Sequence, residues 1–461
     1  LTKGAWIDVD NLETVHARPG DDVVTTIDLD LQDAAENALY KQLARHKAHH
    51  GCAVVMEVST GDIKAIANLE IGSDGGYHET YNYAVGESTE PGSTFKLMSM
   101  IAAMEDGVVD LHDTINTGDG TVKYYDKTIR DHEEEGLGKI TAREVFEHSS
   151  NVGTAKIISE GYKDNPRRYV DRLYSMQIDK PLGLQIQGEG KPVIRYPGDK
   201  LWSGISLPMM SHGYEVLMTP LQILTFYNAV ANDGKMVKPR FVKEVRDGNW
   251  TVKSFDTEVI TNAICSRSTI NKAQSLLEGV VENGTAKNLK NSNYKIAGKT
   301  GTAQIANAKH GYRSGARISY QASFVGYFPA DDPLYSCIVV VNAPSNWVYY
   351  GNVVSGPVFK EIADKVYATS FYRDLRALNP ENEDKVKFRE AADIVSKDDL
   401  TWSEGLMPNV VGMGLRDAMF MLENSGLRVN YSGRGKVTRQ SPQPGVRIKR
   451  GATVAIELRL R

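Results

Sequence analysis

Three short segments hold residues that could carry chemistry. The first is Pro91-Gly92-Ser93-Thr94-Phe95-Lys96, followed by the apolar run Leu97, Met98, Met100, Ile101, Ala102, Ala103 and Met104. Pro-Gly is expected to start a helix here, and a helix apolar nearly all round is buried. A lysine buried in it must be paired or give up its proton. With Ser93 one turn earlier on the same face, a neutral Lys96 amine is a general base for a serine nucleophile. Taken alone, the pair also fits an N-cap serine and a lysine laying its stem along apolar surface. The second segment, Ser149-Ser150-Asn151, follows an expected helix from Thr141 to His148 and by itself reads as capping residues. The third runs from Ile296 to Gln304 and holds Lys299, Thr300, Gly301 and Thr302. Its two glycines weaken a strand unless something approaches the backbone closely, and a ligand lying along that edge would supply the reason.

The elements that must position these segments are legible in outline. Thr25-Thr26-Ile27-Asp28 reads as a strand end, with Asp30 as N-cap of a helix carrying Leu31, Ala34, Ala38, Leu39 and Leu43 on its apolar face. Cys52 to Val58 and Ile63 to Ala67 flank a polar turn and predict a hairpin. From Gly92 to Asn232 the pattern is mostly helical, with Thr219, Pro220 and Gln222 forming a capping box. Strand character returns at Tyr294 to Gln304, Ser319 to Phe328 and Ser336 to Val341, and a helix from Gly356 to about Thr369 closes the unit. The order sheet, helices, sheet, helix predicts an α/β (α+β) fold: one antiparallel sheet completed from both chain ends around a helical insertion.

Composition bounds the rest. The 461 residues allow about three domains, and a net charge of −4 with 41% apolar residues describes a globular chain rather than a nucleic-acid coat. Residues 373–399 hold 14 charges in 27 positions and read as a linker. Beyond it the sign reverses: residues 405–461 carry 8 Arg and 2 Lys against 3 acids. That tail predicts its own small α+β module, with a helix from Leu415 to Ser425 closed by Gly426 and strands at Arg428 to Tyr431 and Thr453 to Leu458. Its basic charge reads as a solvated face, with an anionic polymer or a protein as functional alternatives. The expected boundaries are 1–20 (remnant of a preceding segment), 21–370, a linker at 371–404, and 405–461. No stretch is long and apolar enough to span a bilayer. Leu1 has no initiator Met, so an upstream anchor or targeting segment is expected to be missing. Three cysteines, Cys52, Cys265 and Cys337, give neither a disulfide scaffold nor metal pairs. His46, His49 and His50 are expected to close a helix before Gly51 rather than bind metal, and His132-Glu133-Glu134-Glu135 lacks the second His of a zinc-protease phrase. No metal, cofactor or nucleic acid is expected.

Taken together, Ser-x-x-Lys, Ser-x-Asn 56 residues on and Lys-Thr-Gly 150 residues further resemble the penicillin-binding and serine β-lactamase superfamily. Thr26 to Gln32, Glu87 to Lys96, His148 to Gly153, Thr219 to Gln222 and Phe324 to Phe328 extend the likeness over about residues 21–368. It is similar to a class B, monofunctional penicillin-binding protein. Pro408 to Gly412 and Ser441 to Gly445 resemble a single PASTA module. The resemblance implies a peptidoglycan D,D-transpeptidase of the cell-division type, acting on stem peptides and inhibited by β-lactams. It would lie on the extracytoplasmic (periplasmic) face of the membrane, held by an N-terminal anchor among division or other wall-synthesis proteins. Ser93 would be the nucleophile and Lys96 its base, with Ser149, Asn151 and Lys299 completing the catalytic set. The N–H groups of Ser93 and Thr302 would form the oxyanion hole, while Thr300, Gly301 and Thr302 would line the substrate strand. A D,D-carboxypeptidase would use the same residues, and a non-catalytic β-lactam sensor or scaffold is the alternative from another class. The Glu-x-x-Leu-Asn phrase of a class A β-lactamase is absent.

Overall fold

The computed structural model describes residues 20–133, 135–305, 319–345, 348–368, 407–424, 427–433, 435–447, 449 and 451–459. The chain forms two compact units, divided between Leu378 and Asn379. The expected linker 371–404, and all but Gly20 of the expected remnant 1–20, lie outside the described residues.

In the first unit, β1 (Asp22–Thr25) leads into α1 (Leu29–His46), then β2 (His50–Glu57), β3 (Ile63–Ile71) and the short β4 (Tyr77–His78). The cap of α1 is Asp28, not the expected Asp30. Its backbone is extended, and its carboxylate accepts from Leu31 N at 3.1 Å, while Asp30 already lies in the first helical turn where a negative charge favours the dipole. The helix also ends earlier than expected: Lys47 takes a left-handed conformation, so His49 leaves the helix and His50 opens β2. A long insertion follows. It contains α2 (Lys96–Glu105), the hairpin β5 (Thr121–Tyr124) and β6 (Lys127–Arg130), α3 (Ala142–Glu147), α4 (Asn151–Tyr162) and α5 (Pro220–Ala231). It also includes β7 (Val242–Asp247), β8 (Trp250–Ser254) and α6 (Arg267–Glu282), and within 92–232, where the pattern reads as mostly helical, the hairpin β5–β6 interrupts the helices. β1 pairs with β7, which pairs with β8, so the first strand belongs to a small separate sheet.

The main sheet then resumes with β9 (Ala297–Gln304), β10 (Tyr320–Phe328) and β11 (Tyr335–Asn342), and α7 (Gly356–Ala368) ends the unit. Its order is β9-β10-β11-β2-β3-β4, antiparallel throughout, with the two chain ends joined at β11–β2 from Tyr335↔Glu57 to Asn342↔His50. The strands on both sides of that seam are buried on both faces, and their near-continuous apolar runs reflect it. One face is covered by α1 and α7: Leu39 and Leu43 lie against Gly51, and Phe359 meets Phe324 and Phe328 edge-on. The other face receives α5, whose Asn228 accepts from Ser336 Oγ at 2.7 Å and donates to Val58 O at 3.0 Å. Thr219 and Gln222 make the expected capping box at its start. β9 is left at the sheet edge, beside the insertion.

The second unit has α8 (Leu415–Asn424), β12 (Arg428–Gly433), β13 (Lys436–Ser441) and β14 (Thr453–Arg459). β14 is central, parallel to β12 and antiparallel to β13. β13 was not expected, because its buried positions, Val437 and partly Gln440, do not alternate. Alternation along β14 sends Val454, Ile456 and Leu458 inward with Ala418 and Leu422.

Candidate active site

Ser93 sits in a 3-10 turn, Gly92–Phe95, and the α-helix α2 begins only at Lys96. The expected single helix is therefore a tight turn followed by α2. Ser93 lies partly exposed at that turn, while Lys96 is fully buried at the head of α2. Two contacts hold the turn in place. A Cβ on Gly92 would lie 3.0 Å from Ala303 Cβ and 3.3 Å from Thr302 O, so the Ser93 turn rests directly on β9. On the opposite side, Gly92 N donates to Gly213 O at 3.1 Å, and Gly213, at φ +86°, would drive any side chain into Gly92 O at 2.0 Å.

The second segment lies between α3 and α4. Ser149 has φ 58°, a left-handed conformation that a residue with a Cβ adopts at a cost of roughly 1 kcal/mol or more. The turn is held from both sides: Ser150 Oγ caps Gly153 N at 2.8 Å and donates to Asp131 Oδ2 at 2.8 Å, and Asp131 Oδ1 accepts from Val152 N at 3.0 Å. So placed, Ser149 and Asn151 surround the Lys96 amine. Lys96 Nζ donates to Ser149 O at 2.5 Å, to Ser149 Oγ at 3.1 Å and to Asn151 Oδ1 at 2.7 Å. Asn151 Nδ2 in turn donates to Arg130 O at 2.8 Å, so the hairpin β5–β6 orients that amide.

The third segment closes the cluster. Lys299 is fully buried, donates to Ser149 Oγ at 2.8 Å and to Thr300 O at 3.0 Å, and stands 5.7 Å from the Phe146 ring centroid. Gly301 faces the Ser93 turn: a Cβ there would meet Ser323 Oγ at 2.2 Å and Thr94 Cγ2 at 2.9 Å. Thr300, on the other side of the strand by alternation, reaches Thr285 Oγ1 at 2.8 Å. Two lysines thus converge on the single hydroxyl of Ser149. Burial lowers the Lys96 amine to about 7, against the opposing pull of the Asp131 carboxylate. Burial, and then the charge of Lys96, push Lys299 well below the usual lysine range. A pair of amines that cannot both stay charged around one hydroxyl can take a proton at one oxygen and release it at another.

Residues 51–364 match the family described as the penicillin binding protein transpeptidase domain. The chain belongs to the penicillin-binding protein transpeptidase family. Residues 405–459 match the PASTA domain. The chain is 28% identical to stage V sporulation protein D of Bacillus subtilis over 96% of its own length and 66% of that protein's. It is 28% identical to probable peptidoglycan D,D-transpeptidase PenA of Neisseria flavescens over 78% of this chain and 86% of that one. It spans 58% of probable peptidoglycan D,D-transpeptidase PbpC of Pseudomonas aeruginosa, so it covers under two thirds of the length of several such relatives. Among solved structures it resembles penicillin-binding protein 3 of Mycobacterium tuberculosis in complex with aztreonam. The TM-score is 0.66 at 27% identity, over 77% of this chain and 80% of that one.

Within this penicillin-binding domain, the residues singled out in the sequence fall into one cluster around Lys96 and β9. Three contributors carried no local signal. Asp131 lies in an acidic stretch that reads as solvated, Gly213 in a segment without a motif, and Thr285 in a loop after α6. Each acts through a partner at least 15 residues away in the chain. The histidines stay outside the cluster: His49 Nδ1 meets His50 Nδ1 at 2.8 Å, and His50 Nε2 meets Glu87 at 3.0 Å. Among the described residues, no group of three His, Cys, Asp or Glu side chains is placed to hold a metal ion.

Proposed function

We propose that this chain is the catalytic part of a peptidoglycan D,D-transpeptidase, with Ser93 as nucleophile, Lys96 as base, Ser149 as proton relay, and Asn151 and Lys299 completing the set. The observation that carries the reading is the buried Lys96 amine, lowered to about 7 and bonded to Ser149 Oγ, with the second buried amine of Lys299 on the same oxygen. In the reaction, Lys96 takes the proton of Ser93 as Oγ bonds to the carbonyl carbon of a D-Ala-D-Ala peptide. Collapse of the tetrahedral intermediate breaks the C–N bond. Ser149 passes a proton to the departing D-alanine amine and is reprotonated from Lys96. The amine of a second stem peptide then attacks the ester and restores Ser93. The N–H groups of Ser93 and Thr302 are the proposed oxyanion donors, each worth on the order of 3 kcal/mol in such sites. Lys299, Thr300 and Thr302, with Gly301 keeping the strand face clear, are the proposed carboxylate site.

A D,D-carboxypeptidase would pass the same acyl group to water, and a non-catalytic sensor would stop at the acyl-enzyme. The additional PASTA module favours the transferase. Association with division or other wall-synthesis proteins, an extracytoplasmic location and a membrane anchor preceding Leu1 belong to the same proposal. None of the described helices is long and apolar enough to cross a membrane. The test is mass spectrometry after incubation with benzylpenicillin. A stoichiometric adduct on Ser93 that lasts many minutes is expected, because no carboxylate phrase for deacylation is present; turnover within seconds would assign the chain to hydrolysis instead.

A further inference from the structure

One residue outside the three motifs is bonded to one of them and to the helix that leads into another. Thr285 lies just past α6. Its N–H donates to Glu147 O at 3.1 Å, two residues before Ser149, and its Oγ1 lies 2.8 Å from Thr300 Oγ1, one residue after Lys299. Its neighbour Gly284 allows the approach, because a Cβ there would stand 2.2 Å from Glu147 O. The backbone bond alone closes the loop on Glu147. The side-chain bond to Thr300 is a separate contact, and its direction matters for ligand binding.

A hydroxyl has one proton to donate and lone pairs to accept, whereas an ionised carboxylate only accepts. If Thr300 spends its proton on Thr285, it presents lone pairs to an arriving carboxylate and repels it. If Thr285 is the donor, the Thr300 proton is free for the ligand, and the bond it receives strengthens the one it gives. Lys299 does not compete for that proton, since its amine is a donor and is directed to Ser149 Oγ and the Thr300 carbonyl. We propose that Thr285 is a positioning residue that donates to Thr300 Oγ1 and so aims the Thr300 hydroxyl proton at the substrate carboxylate, setting the preference for carboxylate-bearing ligands. The inference rests on the reading of Thr300 as a carboxylate donor given above.

The test compares acylation of Ser93 by benzylpenicillin and by its methyl ester in the full chain. Thr285→Val keeps the backbone bond and removes the hydroxyl. The acid-to-ester rate ratio should fall roughly tenfold, the worth of a hydrogen bond to a charged group. Thr285→Ser, which restores the donor, should recover the ratio. Should the valine variant not fold, Thr285→Ala is read by the same ratio. Equal slowing of both ligands, or an unchanged ratio, would show that Thr285 only closes the loop and would overturn the inference alone. If the unmutated protein does not prefer the acid, the carboxylate role of Thr300 fails and the inference with it.

Discussion

The cations of the two units are used in opposite ways. In the catalytic unit Lys96 and Lys299 are fully buried, share one serine hydroxyl and are held below the ordinary lysine range. In the C-terminal unit Arg428, Lys436, Arg439 and Arg459 all lie exposed, on strands whose inward positions are Val437, Val454, Ile456 and Leu458. Water solvates the second set, so those charges persist and can act only at long range or on contact, and salt screens them. The first set loses that solvation. For Lys96 this makes the proton mobile near neutral pH, which is what acid–base chemistry requires and what an exposed lysine cannot offer.

Removing a buried cation should therefore change chemistry far more than stability. Lys96→Ala is expected to slow acylation of Ser93 by about a thousandfold, within the range for loss of a general base, while its melting temperature holds or rises, because a desolvated amine goes with it. In the unmutated protein, acylation should rise with pH through about 7 and then level, since only unprotonated Lys96 takes the Ser93 proton. The stability consequence has a definite sign. Between about 7 and about 10.4 the unfolded lysine holds a proton that folded Lys96 has released, so stability from this group grows as pH rises through that window. A pH series of thermal melts should show that rise, and Lys96→Ala should flatten it. Full acylation by Lys96→Ala would erase the contrast between the units.

Lys299→Ala sharpens the same comparison at a smaller scale. Benzylpenicillin acylation should fall by roughly a hundredfold through loss of both the ligand cation and the second amine on Ser149, with the methyl ester less affected. Stopped-flow rates for the two ligands separate those contributions, and equal losses would remove Lys299 from the carboxylate site. The smallest effect on catalysis is expected from the other unit. Ile456→Ala, at a fully buried position of β14, should cost the module about 2–5 kcal/mol and leave the acylation rate unchanged. A slowed acylation would mean that the exposed and buried cations do not belong to independently folding parts.

Read along the chain, the order and spacing of Ser93, Lys96, Ser149, Asn151 and Lys299 were enough to point to the family that residues 51–364 match, and local hydrogen-bonding rules were enough for the cap at Thr219. The sheet completed from both ends was legible too, since apolar runs bounded by turn residues report strands buried on both faces. Local pattern failed where another segment outbids the local preference. It misplaced the α1 cap by two residues, missed the pairing of β1 with β7 and overlooked β13.

What only the tertiary structure decided is how those residues meet. Ser149 O and Oγ point at Lys96 because Ser149 is held left-handed between two helices, and Asp131 holds that turn from the neighbouring segment. Thr300 reaches away from Gly301 to Thr285, which strand alternation permits but cannot specify. The reason is physical: side-chain type and spacing are written in the sequence and set what a residue can do. Bond direction and desolvation come instead from groups tens to hundreds of residues away, brought together only by the tertiary fold.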